Sequence, residues 1–423
     1  MNLRIVLASA LAVAFAAPTS AATLKMLPDW FANETVRSIW MMPDGNTFTG
    51  IDGEDVFQWS AASGRTNVGA LPSTISSGLR AAPIRATAIS DNGSTIIGYL
   101  GEDPFKPVGG FMWSAEAGVV VMPPLAGSSF SAIPKALSSD GSVIVGNEYV
   151  PYFPYPWGLP APPVQRSKAF RWTAPTGTVG IDGVEYANSV SDDGSVVVGS
   201  GPIDEEIVGV GHIEEEWPSS QAVRWTQSTG AIGLGLMPNS DLPLSSASFV
   251  SADGATIVGT GSGPHGPRMF RWTEATGMQH LDTVGDDQTP RAISDDANVI
   301  VGYMRTWPHD SPGPTAMDQF IWTPDAGLRK LRDAFPPLNS IPVYWMYEVS
   351  ADGRKIFGDA LYTEYDDDYL PIAFHHEYWL LDISPVPEPL TQHLCIFSVL
   401  MLLIGRPSNF PKTNYRNWPP LSL

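Results

Sequence analysis

The chain has 423 residues, with 44 Asp and Glu against 24 Lys and Arg, 40 glycines, 39 prolines and a single cysteine. Every acidic residue and 20 of the basic ones fall within 23–388, so that body carries a net −24. This excludes DNA or RNA as a partner, because such binding rests on phosphate neutralisation by Lys and Arg; cations, neutral sugars and basic surfaces remain compatible. Cys395 lies in a C-terminal apolar run, which removes intrachain disulfides, Cys-based zinc sites and thiol catalysis from the body.

Residues 1–22 read as an export signal. Arg4 supplies the positive start, 5–17 an apolar run, and Ser20, Ala21 and Ala22 a small-residue cleavage site, so the mature chain is expected to begin at Thr23. Thirteen apolar residues are too few for a lasting span, which takes roughly 17 to 25.

From there two phrases alternate along the chain. The first is Ser-x-Asp-Gly followed by an apolar run ending in Gly: "SDNGSTIIG" from 90, "SSDGSVIVG" from 138, "SDDGSVVVG" from 191, "SADGATIVG" from 251, "SDDANVIVG" from 294 and "SADGRKIFG" from 350. A weaker copy, "MPDGNTFTG", begins at 42, which makes seven. The second phrase is an aromatic or Val, one residue, Trp and a short Gly-ended turn. It carries Trp59, Trp113, Trp172, Trp225, Trp272 and Trp322 at intervals of 47 to 59 residues; the seventh unit offers only "AFHHEYWLLD" at 373. Self-similarity at that period means a solenoid, a propeller or an array.

Each unit reads as four short strands rich in Val, Ile, Phe and Trp, and Asp-Gly or Asn-Gly between two such runs is a strong hairpin signal. The expected fold is therefore all-β: a seven-bladed β-propeller of four-stranded antiparallel blades over 23–384. Small residues in the first strands (Ala86, Ala88, Ala132, Ala136, Ala187, Ala247) suit convergence on the axis, and the repeated Trp is expected as core between blades. The seventh unit lacks a fourth strand, while residues 23–28, "TLKMLP", resemble the fourth strand of unit one. The N-terminal strand is thus expected to complete the last blade and close the ring.

Antiparallel order places the uniform Asp-Gly and Gly-ended turns on one face and the long second-to-third connections on the other, the face where repeat proteins tend to bind. Those connections are aromatic and proline-rich at 147–167, acidic around Trp217, and carry Trp307 and His309 at 303–318. Tyr152, Tyr155, Trp157, Trp217 and Trp307 are the candidate ligand-contact residues, their rings suited to stacking on sugar faces beside carboxylates. The same rings also serve a purely structural reading, packing on one another to hold long loops down.

Catalytic residues are not singled out. The histidines are scattered over different units and no pair has metal-motif spacing. Carboxylate pairs across the central opening would suit glycoside hydrolysis, but the sequence selects none. Calcium suits the Asp-rich turns only in part, since the hairpin already explains them; the acidic clusters at 204–216 and 366–368 are better placed. No cofactor or metal site is assigned.

Near the C-terminus, Pro387, Glu388 and Pro389 precede an apolar stretch at 394–405 and then Arg406. This resembles the PEP-CTERM sorting signal of exported bacterial proteins, here at 385–406 with a 17-residue tail beyond it at 407–423. The resemblance implies processing by an exosortase-type enzyme and attachment to the membrane, at least transiently, through that segment. The body resembles the extracellular HAF-repeat family on Lys168-Ala169-Phe170-Arg171-Trp172-Thr173 and Met269-Phe270-Arg271-Trp272-Thr273, in both of which the hallmark His is missing. That resemblance implies an exported, surface-associated protein and transfers no catalytic residue. The expectation is a cell-surface or matrix binding and scaffold module with glycans as the candidate ligand class; the alternatives are a polysaccharide-active hydrolase or lyase on the same ring, and a purely architectural surface protein.

Overall fold

Seven hairpin phrases become seven sheets in the computed structural model, each antiparallel with its strands in chain order. The structure describes residues 22–33, 35–77, 80–102, 107–128, 131–152, 164–202, 220–237, 242, 244–263, 266–281, 287–305, 317–365 and 371–384. Blade 1 consists of Val36–Met41, Thr47–Asp52, Asp55–Ser60 and Gly64–Ala70; blade 2 of Arg80–Ile89, Thr95–Leu100, Gly109–Ser114 and Gly118–Val121. Blade 3 comprises Ala132–Leu137, Val143–Tyr152, Val164–Thr173 and Gly177–Gly180; blade 4 Tyr186–Val190, Val196–Gly201, Gln221–Thr226 and Gly230–Gly235. Blade 5 comprises Ser245–Val250, Thr256–Gly263, Gly266–Thr273 and Gly277–His280; blade 6 Asp287–Ile293, Ile300–Arg305, Asp318–Thr323 and Gly327–Lys330. Blade 7 has Val343–Val349, Lys355–Tyr365 and Pro371–Asp382, and takes its fourth strand, Thr23–Met26, from the other end of the chain. The fold is the seven-bladed β-propeller expected from the repeat. One addition was not foreseen: Thr74–Ser77 pairs with the start of the first strand of blade 2 as a fifth strand.

Closure follows the register Thr23↔Asp382 to Met26↔Trp379, extended by Leu27 N–H to Tyr378 O at 2.8 Å. Just beyond, Phe31 is 1 % exposed and meets Phe48, Phe57 and Trp59 edge-on, at ring-centroid distances of 5.8, 6.1 and 5.1 Å. Burying an aromatic of that size anchors the strand by roughly 2 to 3 kcal/mol.

The phrases themselves acquire physical reasons. In "SSDGSV", Ser138 Oγ donates to Asp140 Oδ1 at 2.7 Å while accepting Val143 N–H at 3.0 Å, and the same Asp oxygen takes Ser142 N–H at 2.9 Å. The pattern recurs from Ser191, Ser251, Ser294 and Ser350, and from Ser90 with Asn92 as acceptor. The serine is buried at each of these six turns, so replacing it leaves a buried amide without an acceptor, at a cost of about 1–3 kcal/mol. The glycine that closes the phrase sits opposite the aromatic of the next one. A Cβ on Gly146 would fall 2.1 Å from Ile133 O and 2.8 Å from Phe170 Cζ, and Gly98 stands in the same relation to Arg85 O and Phe111.

That Gly–Phe contact makes the Phe the deepest member of the second phrase. Phe57, Phe111, Phe170, Phe270 and Phe320 are fully buried. Of the repeated Trp residues, Trp113 and Trp322 are buried, while Trp59, Trp172, Trp225 and Trp272 are half-buried against the apolar clusters of their blades. In blade 7 Trp379 takes the Phe place opposite Gly358 and is itself fully buried.

Candidate functional site

The five residues singled out for ligand contact belong to the second-to-third connections. Tyr152 ends the second strand of blade 3, with its side chain outside the described residues; Tyr155, Trp157, Trp217 and Trp307 lie outside them altogether, as do Pro387, Glu388, Pro389 and Arg406. The strand order does place every second-to-third connection on the face opposite the Ser-x-Asp-Gly turns. On that loop face, between blades 4 and 5, opens a cleft of about 480 Å³ whose lining includes Ser220, Leu242, Leu244, Ser246, Ser262 and Pro267.

The axis carries a second feature, on the turn face. The residue at x of each Ser-x-Asp-Gly hydrogen-bonds through its peptide to the matching residue of the next blade. Ser139 N–H reaches Asp192 O at 3.1 Å, Asp192 N–H Ala252 O at 3.1 Å, Ala252 N–H Asp295 O at 2.8 Å, Asp295 N–H Ala351 O at 3.1 Å, and Ala351 N–H Pro43 O at 3.0 Å. Between blades 2 and 3 the bond slips by one residue, from Asn92 N–H to Ser139 O at 3.4 Å. Between blades 1 and 2 proline supplies no donor.

This ring sets three carboxylates at the axial mouth, Asp91, Asp192 and Asp295, on blades 2, 4 and 6; the x residues of the odd blades, Pro43, Ser139, Ala252 and Ala351, are uncharged. Burial and then mutual repulsion, with Asp91 and Asp295 the largest contributors, push the Asp192 carboxyl from 3.8 up to about 6. Asp91 and Asp295 are raised for the same leading reason, loss of water. The neighbouring turn aspartates Asp140, Asp193 and Asp253 are held low instead, by the turn hydrogen bonds that they accept.

Asp91 and Asp295 line a cavity of about 280 Å³ together with Trp40, Met42 and Glu348. Glu348 accepts the Met41 N–H of blade 1, and desolvation in this well raises its carboxyl to about 8, so it is largely protonated at neutral pH.

The first strands around the axis share a feature that the sequence reading missed, and through it Thr87 joins the lining of the well. Every first strand carries a one-residue bulge, at Val36/Ser38, Ala86/Ala88, Pro134/Ala136, Ala187/Ser189, Ala247/Phe249, Pro290/Ala292 and Met346/Glu348. Bulges leave one residue out of the ladder and re-aim it. The skipped residues, Arg37, Thr87, Lys135, Asn188, Ser248, Arg291 and Tyr347, are all polar, a signal visible between the small residues of these strands.

A third cluster lies at the loop-face end of blade 7. Asp359 is fully buried; its Oδ1 accepts Trp345 N–H at 2.9 Å and its Oδ2 meets His376 Nδ1 at 2.7 Å. A carboxylate accepts, so Nδ1 carries the hydrogen. The Tyr347 hydroxyl also bonds Asp359, and burial followed by that negative charge raises the tyrosine. Asp359 follows the phrase-ending Gly358. The equivalent residues of blades 3 and 6 clamp the next blade: Asn147 exchanges two bonds with Ala187, at 2.8 and 3.2 Å, and the Tyr303 hydroxyl two with Met346, at 2.9 and 3.3 Å. Blade 7 turns that position inward to a histidine.

Among the described residues, no group of His, Cys, Asp and Glu has the geometry to hold a metal ion.

No family model matches the chain and no curated protein aligns with it. Solved structures similar to it include an oligogalacturonate lyase from Vibrio parahaemolyticus, 11% identical with a TM-score of 0.47, covering 87% of this chain and 98% of that one. Others are TolB from Acinetobacter baumannii, 12% identical, TM-score 0.39, 80% and 77% covered, and the β-propeller domain of the Trilobed protease from Pyrococcus furiosus, 10% identical, TM-score 0.42, 71% and 84% covered. Likeness of this degree carries no argument about activity.

Proposed function

We propose that the protein is an exported cell-surface or matrix propeller that acts as a non-catalytic binding and scaffold module, with glycans as the ligand class. One observation carries the reading: the two faces of the disc are built differently. The turn face repeats short hairpins, whereas the strand order sends the second-to-third connections to the other face, where a cleft of about 480 Å³ opens between blades 4 and 5. Aromatic rings presented among prolines lose little entropy on binding and stack on the apolar faces of sugars. Export and sorting rest on the N-terminal leader and on the Pro387-Glu388-Pro389 segment, with an exosortase-type enzyme as the processing partner and the membrane as a transient anchor.

A glycan array on the full chain tests binding. Retention of a polysaccharide that is lost in Trp157→Ala with Trp217→Ala is the expected result; an array without hits, or binding indifferent to both substitutions, removes the reading. Mass spectrometry of the cell-surface form tests sorting, with cleavage near Pro389 expected.

The Asp359–His376 pair favours a second reading, a hydrolase or lyase on the same ring, because a buried carboxylate that orients an imidazole is an arrangement used in general base catalysis. Turnover of a polysaccharide that disappears in His376→Gln would establish it.

A further inference from the structure

We propose that the axial ring is a proton-operated latch: ionisation of the carboxylates on blades 2, 4 and 6 loosens the peptide hydrogen bonds that tie the blades together at the axis, and protonation tightens them. Two of the three residues that carry the charge are also links in the ring. Asp192 and Asp295 each donate one ring bond through their N–H and accept another at their C=O, so a force on either side chain acts directly on two joints. Like charges gathered in a partly desolvated mouth repel strongly, and the cheapest relief is uptake of a proton.

The surroundings do not neutralise the cluster. Asp193 on the Asp192 turn and Asp296 and Asp352 on neighbouring turns add negative charge, and Glu348 stands below, in reach of Asp91. The cations nearby are committed elsewhere: Arg291 acts on Glu348, and Arg354 and Lys355 act on Asp352. The Ser139 hydroxyl bonds Asp91, a single neutral donor for the three carboxylates.

The direction follows from linkage. Unfolded, Asp192 releases its proton near 3.8; folded, it holds it to about 6. Across that window the folded state binds the extra proton, so this contribution to stability is present below 3.8, falls as pH rises, and is lost above about 6. A shift of this size corresponds to at most about a hundredfold in equilibrium. Partial exposure of the mouth to water reduces that to about tenfold.

Backbone hydrogen exchange of the full chain, in chelator and corrected for intrinsic rates, tests the latch at pH 5 and pH 8. Protection at the amides of Ser139, Asp192, Ala252, Asp295 and Ala351 should be about tenfold greater at pH 5 in the native protein. It should be equal at the two values in Asp91→Asn/Asp192→Asn/Asp295→Asn once Glu348→Gln is added to remove the other titration in this window. If the triple variant does not fold, Asp192→Ser, which copies blade 3, should show a reduced difference. Equal protection in the native protein overturns the proposal. So does a pH dependence that survives when the triple variant also carries Glu348→Gln, or one that vanishes in Glu348→Gln alone.

Discussion

The joint between blades 7 and 1 and the joint between blades 1 and 2 do the same geometric job with different means. At the first, the N-terminal strand pairs along blade 7, Phe31 fills the aromatic cluster of blade 1, Glu348 takes Met41 N–H, and the axial ring bond from Ala351 to Pro43 is made. At the second, Pro43 has no N–H to offer the Asp91 carbonyl, and Trp113 Nε1–H to Ala70 O at 2.8 Å ties the joint farther out. The chain runs on through both joints; the covalent break of the ring lies inside blade 7, between its third strand and the N-terminal strand, where strand pairing alone closes it. The joint beside that break keeps its ring bond and adds a buried aromatic and a side-chain bond.

Three sets of substitutions break or sharpen that contrast. Lys25→Pro removes a ladder donor from the closing strand and should cost about 3 kcal/mol or more in urea unfolding. The same change at Val120, in the fourth strand of blade 2, should cost less, because that strand closes nothing; equal losses would mean that closure adds no stability of its own. Next, Glu348→Ala should cost about 1–3 kcal/mol by leaving the Met41 amide without its acceptor, whereas Glu348→Gln keeps an acceptor and should cost less. The pH profile separates the two roles of Glu348. Its folded carboxyl titrates at about 8 against 4.5 when unfolded, so the folded state holds an extra proton between those values, and stability falls as pH rises across that window. Glu348→Gln should flatten that slope, and an unchanged slope would locate the titration elsewhere. Smallest is Pro43→Ala: the restored N–H, set by equivalence with the other joints to reach Asp91 O, should show slow hydrogen exchange. Its gain is offset by the freer unfolded chain, leaving a net change within about 0.5 kcal/mol. Fast exchange at residue 43 would show that blades 1 and 2 are spaced differently from the rest.

The repeat made the blades legible because each phrase encodes its own geometry. Asp-Gly and Asn-Gly turns state a hairpin, and the turn glycines adopt φ between 61° and 73°; blade 6 accepts the same conformation at Ala297, φ 51°. The Gly–Phe opposition was written in the sequence as two separate phrases, but only strand register brings Gly146 under Phe170. The clamp residues Asn147 and Tyr303 were missed because their partners lie on the next blade, about 40 residues away. The proposed aromatic contacts stay an expectation from composition, since Tyr155, Trp157, Trp217 and Trp307 lie outside the described residues.

By itself the sequence determined what is local and repeated: seven hairpins, four strands to a unit, and a spare N-terminal strand matching a missing one. Those follow from turn chemistry and from alternation along a strand, which act between near neighbours in the chain. Only the tertiary structure decided that Asp91, Asp192 and Asp295 share one axial mouth, that Glu348 is desolvated beside them, and that Asp359 holds His376. Charges separated by a hundred residues acquire a common energy only when the ring brings them within reach of one another and removes the water between them.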